Sequence, residues 1–175
     1  MKIYVIRHGL TEMNKQGLIN GSLHDTLAPE GFEQAKQAAL SLPNTIKRIY
    51  SSSLNRAKQT AQVLNDKLGV DLTHHDELKE VNFGILEGTP FLEEHKERHK
   101  KQDYDWGPSG EKVEDVKRRV LSILEKIKSE NSDGEALIVA HGGIVRMLQF
   151  LETNEAMEEI GNASVHAFDL DKILK

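Results

Sequence analysis

The chain has 175 residues, a formal charge of −5, a pI of about 5.9 and no cysteine. That length suits one well-buried domain, 1–175. The acidic balance argues against nucleic acid or an anionic membrane surface as partner, and the missing thiols exclude disulfides, thiol catalysis and cysteine-based zinc sites. The apolar N-terminal run stops at Arg7, too short for a signal-peptide core, and no stretch approaches a membrane span. The expectation is a soluble, cytoplasmic protein.

In chain order, Ile3, Tyr4, Val5 and Ile6 form a β-branched and aromatic run that reads as a strand buried on both faces. It runs straight into Arg7, His8 and Gly9. Arg7 is a permanent planar cation suited to phosphate or carboxylate. His8 can act as nucleophile, base or ligand near neutral pH. Gly9 permits a sharp turn or a close backbone approach. A loop Arg and a loop His with no joint role would leave the same pattern. A polar loop follows over 15–27, then a helix from Pro29 whose stripe is Phe32, Ala35, Ala39 and Leu42, ended by Pro43 and Asn44. Ile46 to Tyr50 reads as a second strand. From Leu54 the helical spacing Leu54, Ala57, Ala61, Leu64, Leu68 continues to the stop at Gly69. Arg56 falls in the first turn of that helix, where it is either a solvated charge or part of an anion site.

Val70 to Thr73 is a candidate third strand, with His74 and His75 on the surface. Two carboxylates, Glu80 and Glu87, then flank a short glycine-bounded segment, and spacing alone favours neither. Residues around 84–110 read as a lid-like insertion, of which 89–110 is the least core-like part of the chain, with dense and nearly cancelling charges. His95 and His99 would share a helix face. That spacing is compatible with a metal, but the zincin glutamate is missing, so the face is read as solvated and no metal is expected. Val113, Val116, Val120, Ile123, Leu124 and Ile127 mark a long amphipathic helix, followed by a turn at Asn131-Ser132-Asp133-Gly134. Ala136 to Ala140 is the clearest buried strand. It opens into His141-Gly142-Gly143 and a further helix through Ile144, Val145, Leu148 and Leu151. Ser164 to Leu170 reads as a closing edge strand.

The alternation predicts a three-layer α/β/α sandwich with a mostly parallel sheet and an edge strand free to run antiparallel. In such a sheet the carboxyl ends of the strands lie together, so Arg7, His8, Arg56 and His141 would converge on one anion-binding point. These residues sit in motifs that resemble the histidine phosphatase superfamily, of phosphoglycerate mutase-like fold, over nearly the whole chain. Arg7-His8-Gly9-x-Thr11-x-x-Asn14 is similar to the family signature. Ser51-Ser52 through Arg56-Ala57-x-x-Thr60-Ala61 resembles the second block. Leu78-x-Glu80 with Phe83-Gly84 and Glu87-Gly88 resembles the third. Gly110-Glu111 and His141-Gly142-Gly143 resemble the last two.

The resemblance implies that His8 is the nucleophile that becomes phosphorylated and that Arg7, Arg56 and His141 hold the phosphoryl group. Asn14 and Gly142 would be further substrate contacts, and Glu80, not Glu87, the proton donor. His8 must be neutral to attack, with its second ring nitrogen tied to a carbonyl, while a protonated His141 would help the arginines hold the charge. Arg and His supply the positive charge, so the reading needs neither metal nor cofactor. The partner is a small phosphorylated metabolite and the activity that of a metal-independent phosphomonoesterase of the histidine acid phosphatase type. A cofactor-dependent phosphoglycerate mutase is the alternative, as is a non-catalytic phosphate-binding or regulatory domain. Leu10, His24, Ala28 and Leu86 depart from common family residues and bear on the substrate, not on the catalytic set.

Overall fold

The computed structural model describes residues 1–131, 134–157 and 159–175. Its five-stranded sheet has the order β3-β2-β4-β1-β5, built from β1 (Lys2–Arg7), β2 (Ile46–Ser52), β3 (Asp71–His75), β4 (Glu135–Ala140) and β5 (Val165–Asp169). The pairings β1–β4, β4–β2 and β2–β3 are parallel, and β5 runs antiparallel along β1. The helices are α1 (Glu12–Lys15), α2 (Pro29–Ser41), α3 (Asn55–Leu68), α4 (Glu93–Lys100), α5 (Val113–Glu130), α6 (Gly142–Thr153) and α7 (Leu170–Ile173). No helix among the described residues is long and apolar enough to cross a membrane.

Alternation along the two central strands makes the three layers. Ile3 and Val5 of β1 and Ala136, Ile138 and Ala140 of β4 meet the stripes of α5 and α6 on one face. Ile6, Leu137 and Val139 meet Ala39 of α2 and Ala57, Ala61 and Leu64 of α3 on the other. These strands lack an alternating polar pattern because helices cover both faces, and each fully buried Val, Leu or Ile side chain contributes about 1.5–3 kcal/mol. Edge strand β3 has one covered side and carries Asp71, Thr73 and His74 exposed.

The expected elements are present, with shifts that have local causes. β2 runs on to Ser52, since Ser51 and Ser52 pair with His74 and His75. β3 correspondingly begins at Asp71 and includes both histidines; His75 is half-buried against the Tyr50 ring. Within the signature loop, Thr11 and Asn14 form a capping box around the single turn of α1, too short to show as a periodicity. Gly9 serves a close approach: a Cβ on it would overlap the Gly31 carbonyl at the start of α2. The turn expected at 131–134 falls partly on Ser132 and Asp133, outside the described residues.

One part of the expectation for residues 84–110 needs correction: the segment is not wholly uncore-like. Tyr104 and Trp106 are buried in the same core cluster as α5 and α6, with Phe91 packed against it. The Tyr104 and Trp106 rings stack 5.6 Å apart and nearly parallel, while Phe83 lies tilted on Trp106 and edge-on to Phe91. The face of α4 read as solvated turns inward, and its His99 is 2% exposed.

Candidate active site

Three adjacent strands end on the same side of the sheet and deliver the site. His8 follows β1, His141 follows β4, and Arg56 sits in the first turn of α3 after β2. The His8 backbone N–H extends the ladder onto the Ala140 carbonyl at 3.0 Å, which fixes the residue rigidly. Its Nδ1 bonds the Gly9 carbonyl at 2.8 Å. That contact requires Nδ1 to carry the proton and leaves the lone pair on Nε2. Arg56 Nε donates to Nε2 at 3.3 Å, a geometry that suits only the unprotonated nitrogen. Burial, then the charges of Arg56 and Arg7, hold the His8 pKa well below its ordinary value.

Arg56 is fully buried. Its Nη1 and Nη2 donate to the Leu23 and Gly21 carbonyls, each at 2.7 Å. With Nε on His8, two of the five guanidinium N–H groups remain for an incoming anion. Arg7 donates through Nη1 to the Ile160 carbonyl, while its buried Nε has no partner among the described residues. Desolvation lowers the Arg7 pKa to about 10, against the attraction of Glu80. The guanidinium therefore stays charged at neutral pH.

His141 begins α6 as its N-cap residue, fully buried, with its ring centroid 5.2 Å from that of His8. It stands behind the cavity wall and does not line the cavity itself. Its Nε2 bonds Ser52 Oγ at 2.8 Å, and Nδ1 has no partner among the described residues. Burial, then Arg56 and His8, push its pKa well down. Its buried position and the neighbouring guanidinium charges thus disfavour the protonated His141 expected from the resemblance.

Glu80 faces this cluster across a cavity of about 210 Å³ lined also by Arg7, His8, Arg56, Asn14 and Gly142. Its carboxylate accepts the Val81 N–H at 2.9 Å and the Gly143 N–H at 3.0 Å. Arg119 of α5 holds the backbone around it. Nη1 donates to the Glu77 and Lys79 carbonyls, Nη2 to the Glu80 carbonyl, and the fork grips Glu111 at 2.8 and 2.9 Å. This brace was not read from the sequence, because its partners are far apart in the chain. Glu87 does different work. Its carboxylate accepts the Ser22 N–H and Oγ–H and the Phe83 N–H, tying the 17–27 loop to the third motif outside the cavity lining. Asn14 lines the cavity, but its amide is engaged. It donates to Asn20, and its oxygen accepts from Thr11 and Asn162, so one amide N–H is left for a ligand. Of the seven residues named from sequence, six line one cavity and His141 backs it.

The buried histidines make stability depend on pH. His8, His99 and His141 all have depressed values in the fold, His99 down to about 4. An unfolded histidine titrates near 6.5. Below that pH the unfolded chain binds more protons, so stability is fully present above about 6.5 and falls as the pH drops toward the folded values, by about 1.4 kcal/mol per pH unit for each such group. Thermal unfolding at pH 7, 6 and 5 should show a steadily falling midpoint. A flat profile would contradict the buried, neutral histidines.

Comparison with known proteins agrees with this geometry. The profile of the histidine phosphatase superfamily (branch 1) matches residues 3–172. "Putative phosphoserine phosphatase 2" of Hydrogenobacter thermophilus is 35% identical, covering 92% of this chain and 83% of that one. Phosphoglycerate mutase-like protein 4 of Arabidopsis thaliana is 31% identical over 97% of this chain and 79% of its own. A mycobacterial glucosyl-3-phosphoglycerate phosphatase, solved with VO3, superposes with a TM-score of 0.84 at 26% identity, covering 95% and 91% of the two chains. The chain belongs to the histidine phosphatase superfamily, branch 1.

Proposed function

We propose that this protein is a metal-independent phosphatase that hydrolyses a small phosphomonoester through a phosphohistidine on His8, working in the cytoplasm. The observation that carries this reading is the His8 imidazole. It is neutral, its tautomer is fixed by Gly9, and its Nε2 lone pair lies on a cavity shared with two arginines and one carboxylate. Nε2 attacks phosphorus, the N–P bond forms and the ester P–O bond breaks. Glu80 gives the departing oxygen its proton, then takes one from the water that attacks the phosphohistidine and releases inorganic phosphate. Arg7 Nε and the two remaining Arg56 N–H groups bind the phosphoryl oxygens, with Asn14 and the backbone at Gly142 as further contacts. Ser52 Oγ accepts the Leu54 N–H and is free to donate to His141 Nε2, which leaves His141 Nδ1–H as a neutral donor to the oxygen nearest it. On this reading 1–175 is one histidine phosphatase domain, and 84–110 is its lid-like insertion.

A mutase must retain its intermediate, present it again to the phosphohistidine and exclude water. The one α-helix in this insertion has eight residues, and the cavity is small. Given 3-phosphoglycerate with a trace of the bisphosphate, the protein should release inorganic phosphate if it acts at all, without efficient interconversion of isomers. Excess EDTA should leave hydrolysis of p-nitrophenyl phosphate intact, because fixed guanidinium groups carry the positive charge. Isomerase turnover of about 10 per second or inactivation by EDTA would overturn the reading.

A further inference from the structure

One polar group in the cavity wall has no task in the chemistry above. α4 carries His99 into the cavity among Phe83, Phe91 and Tyr104. The Phe83 and Tyr104 ring centroids both lie 5.3 Å away, and both rings stand edge to face. Neither ring nitrogen of His99 has a hydrogen-bond partner among the described residues. A fully buried imidazole without partners carries a desolvation cost that an apolar ring of the same shape would avoid. Its Nε2 and the Glu80 carboxylate converge on one point, since a Cβ added to Gly143 would collide with both. Lys96, one turn earlier on α4, lines the same cavity. Three strand ends and the turn that carries Asn14 supply the phosphoryl-binding groups. His99 instead lies on the side of Glu80, where the alcohol portion of a substrate would rest.

We propose that His99 is a specificity residue of this cavity: its free Nε2 hydrogen-bonds a polar substituent on the substrate's alcohol, one or two carbons from the ester oxygen served by Glu80. The inference rests on the phosphatase reading and selects within it hydroxylated alkyl phosphates over plain ones. At neutral pH the imidazole is uncharged, because burial pushes its pKa down to about 4. It therefore offers one donor and one acceptor and suits a hydroxyl group, which can pair with either. A site built to bond a substrate hydroxyl discriminates against the analogue that lacks it, because the buried partner is then left unpaired.

The test compares glycerol 1-phosphate with propyl phosphate, which share a three-carbon chain and differ in hydroxyls. Affinities are measured by calorimetry in a His8→Ala background, so that binding is read without turnover, and again with His99→Phe or His99→Gln added. Rates are measured in the otherwise wild-type enzyme. With His99 present, glycerol 1-phosphate should bind about tenfold more tightly, the worth of one net hydrogen bond. With His99→Phe the ratio should fall to near one, while His99→Gln restores part of it. The unfolding midpoint of His99→Phe should equal or exceed that of the parent, since an unpaired polar ring has been replaced by an apolar one among aromatics. Equal affinities in the His99-containing cavity, or a ratio that survives His99→Phe, would overturn the assignment. So would proportionate weakening of both ligands with a lowered midpoint, which marks a structural histidine. A binding ratio that behaves as stated without any turnover would refute the phosphatase reading and leave the role of His99 standing.

Discussion

His8→Ala is expected to lower turnover of any phosphomonoester roughly 10⁴-fold or more, because the covalent route disappears along with its nucleophile. The wild-type enzyme, mixed with a substrate labelled in its phosphoryl group and quenched within one turnover, should carry the label on His8. The adduct should be lost in acid and survive alkali, the reverse of a phosphoserine. The structural ground is the division of labour between the two ring nitrogens. Nδ1 is committed to the Gly9 carbonyl and Nε2 accepts only a long bond from Arg56, which an electrophilic phosphorus can displace. Burial and the two guanidinium charges keep the ring unprotonated, so nucleophile supply should persist well below pH 6.5, and any loss of rate on the acid side should come from another group. Undiminished turnover in His8→Ala, with the fold intact by circular dichroism, would remove the phosphohistidine from the mechanism.

The parts of this architecture that could be read from sequence are those where a single local pattern carries the information. β1 and β4 are continuous apolar runs because both of their faces are covered, and each opens abruptly into a histidine and a glycine. That break marks the carboxyl end of the sheet without any knowledge of its topology. Arg56 was ambiguous by itself, since a first-turn arginine on a helix is usually solvated. It became legible only in the company of the other motifs, and the structure shows it fully buried beneath the loop carbonyls of Gly21 and Leu23. His99 was misread for an instructive reason. α4 reads Glu-Glu-His-Lys-Glu-Arg-His-Lys, and so dense a run of charge suggests water on every side. Yet His95 and His99 are its only uncharged residues and stand one turn apart, which was the available sign that one face turns inward. The aromatic rings that receive it come from Phe83, Phe91, Tyr104 and Trp106, scattered over more than twenty positions and lacking any period. The Arg119–Glu111 brace was hidden likewise. Its function lies in carbonyls near Glu80, forty residues earlier in the chain, and no helical or strand spacing encodes that contact. Glu80 and Glu87 were inseparable by spacing, and three-dimensional placement alone divides them.

That division gives the second large effect. Glu80→Gln should slow hydrolysis of an alkyl phosphate by about 10²–10⁴-fold, the usual worth of general acid catalysis, because an alkoxide leaves poorly without a proton. It should slow p-nitrophenyl phosphate less than tenfold, since that oxygen departs readily as an anion. The substitution is nearly isosteric. The amide can still accept one of the two backbone N–H groups, from Val81 or Gly143, and turns an N–H toward the other. A modest loss of stability, about 1 kcal/mol, is therefore expected with the large kinetic one, and it cannot produce a dependence on the leaving group. Glu87→Gln is the matched control. Its oxygen could keep the Ser22 and Phe83 N–H groups, and its new amide could donate to Ser22 Oγ, so both substrates should slow by the same small factor. If Glu80→Gln depressed the two substrates equally, the carboxylate would be acting as an electrostatic or positional support for Arg7 and the Gly143 backbone. The proton would then have to come from elsewhere in the cavity.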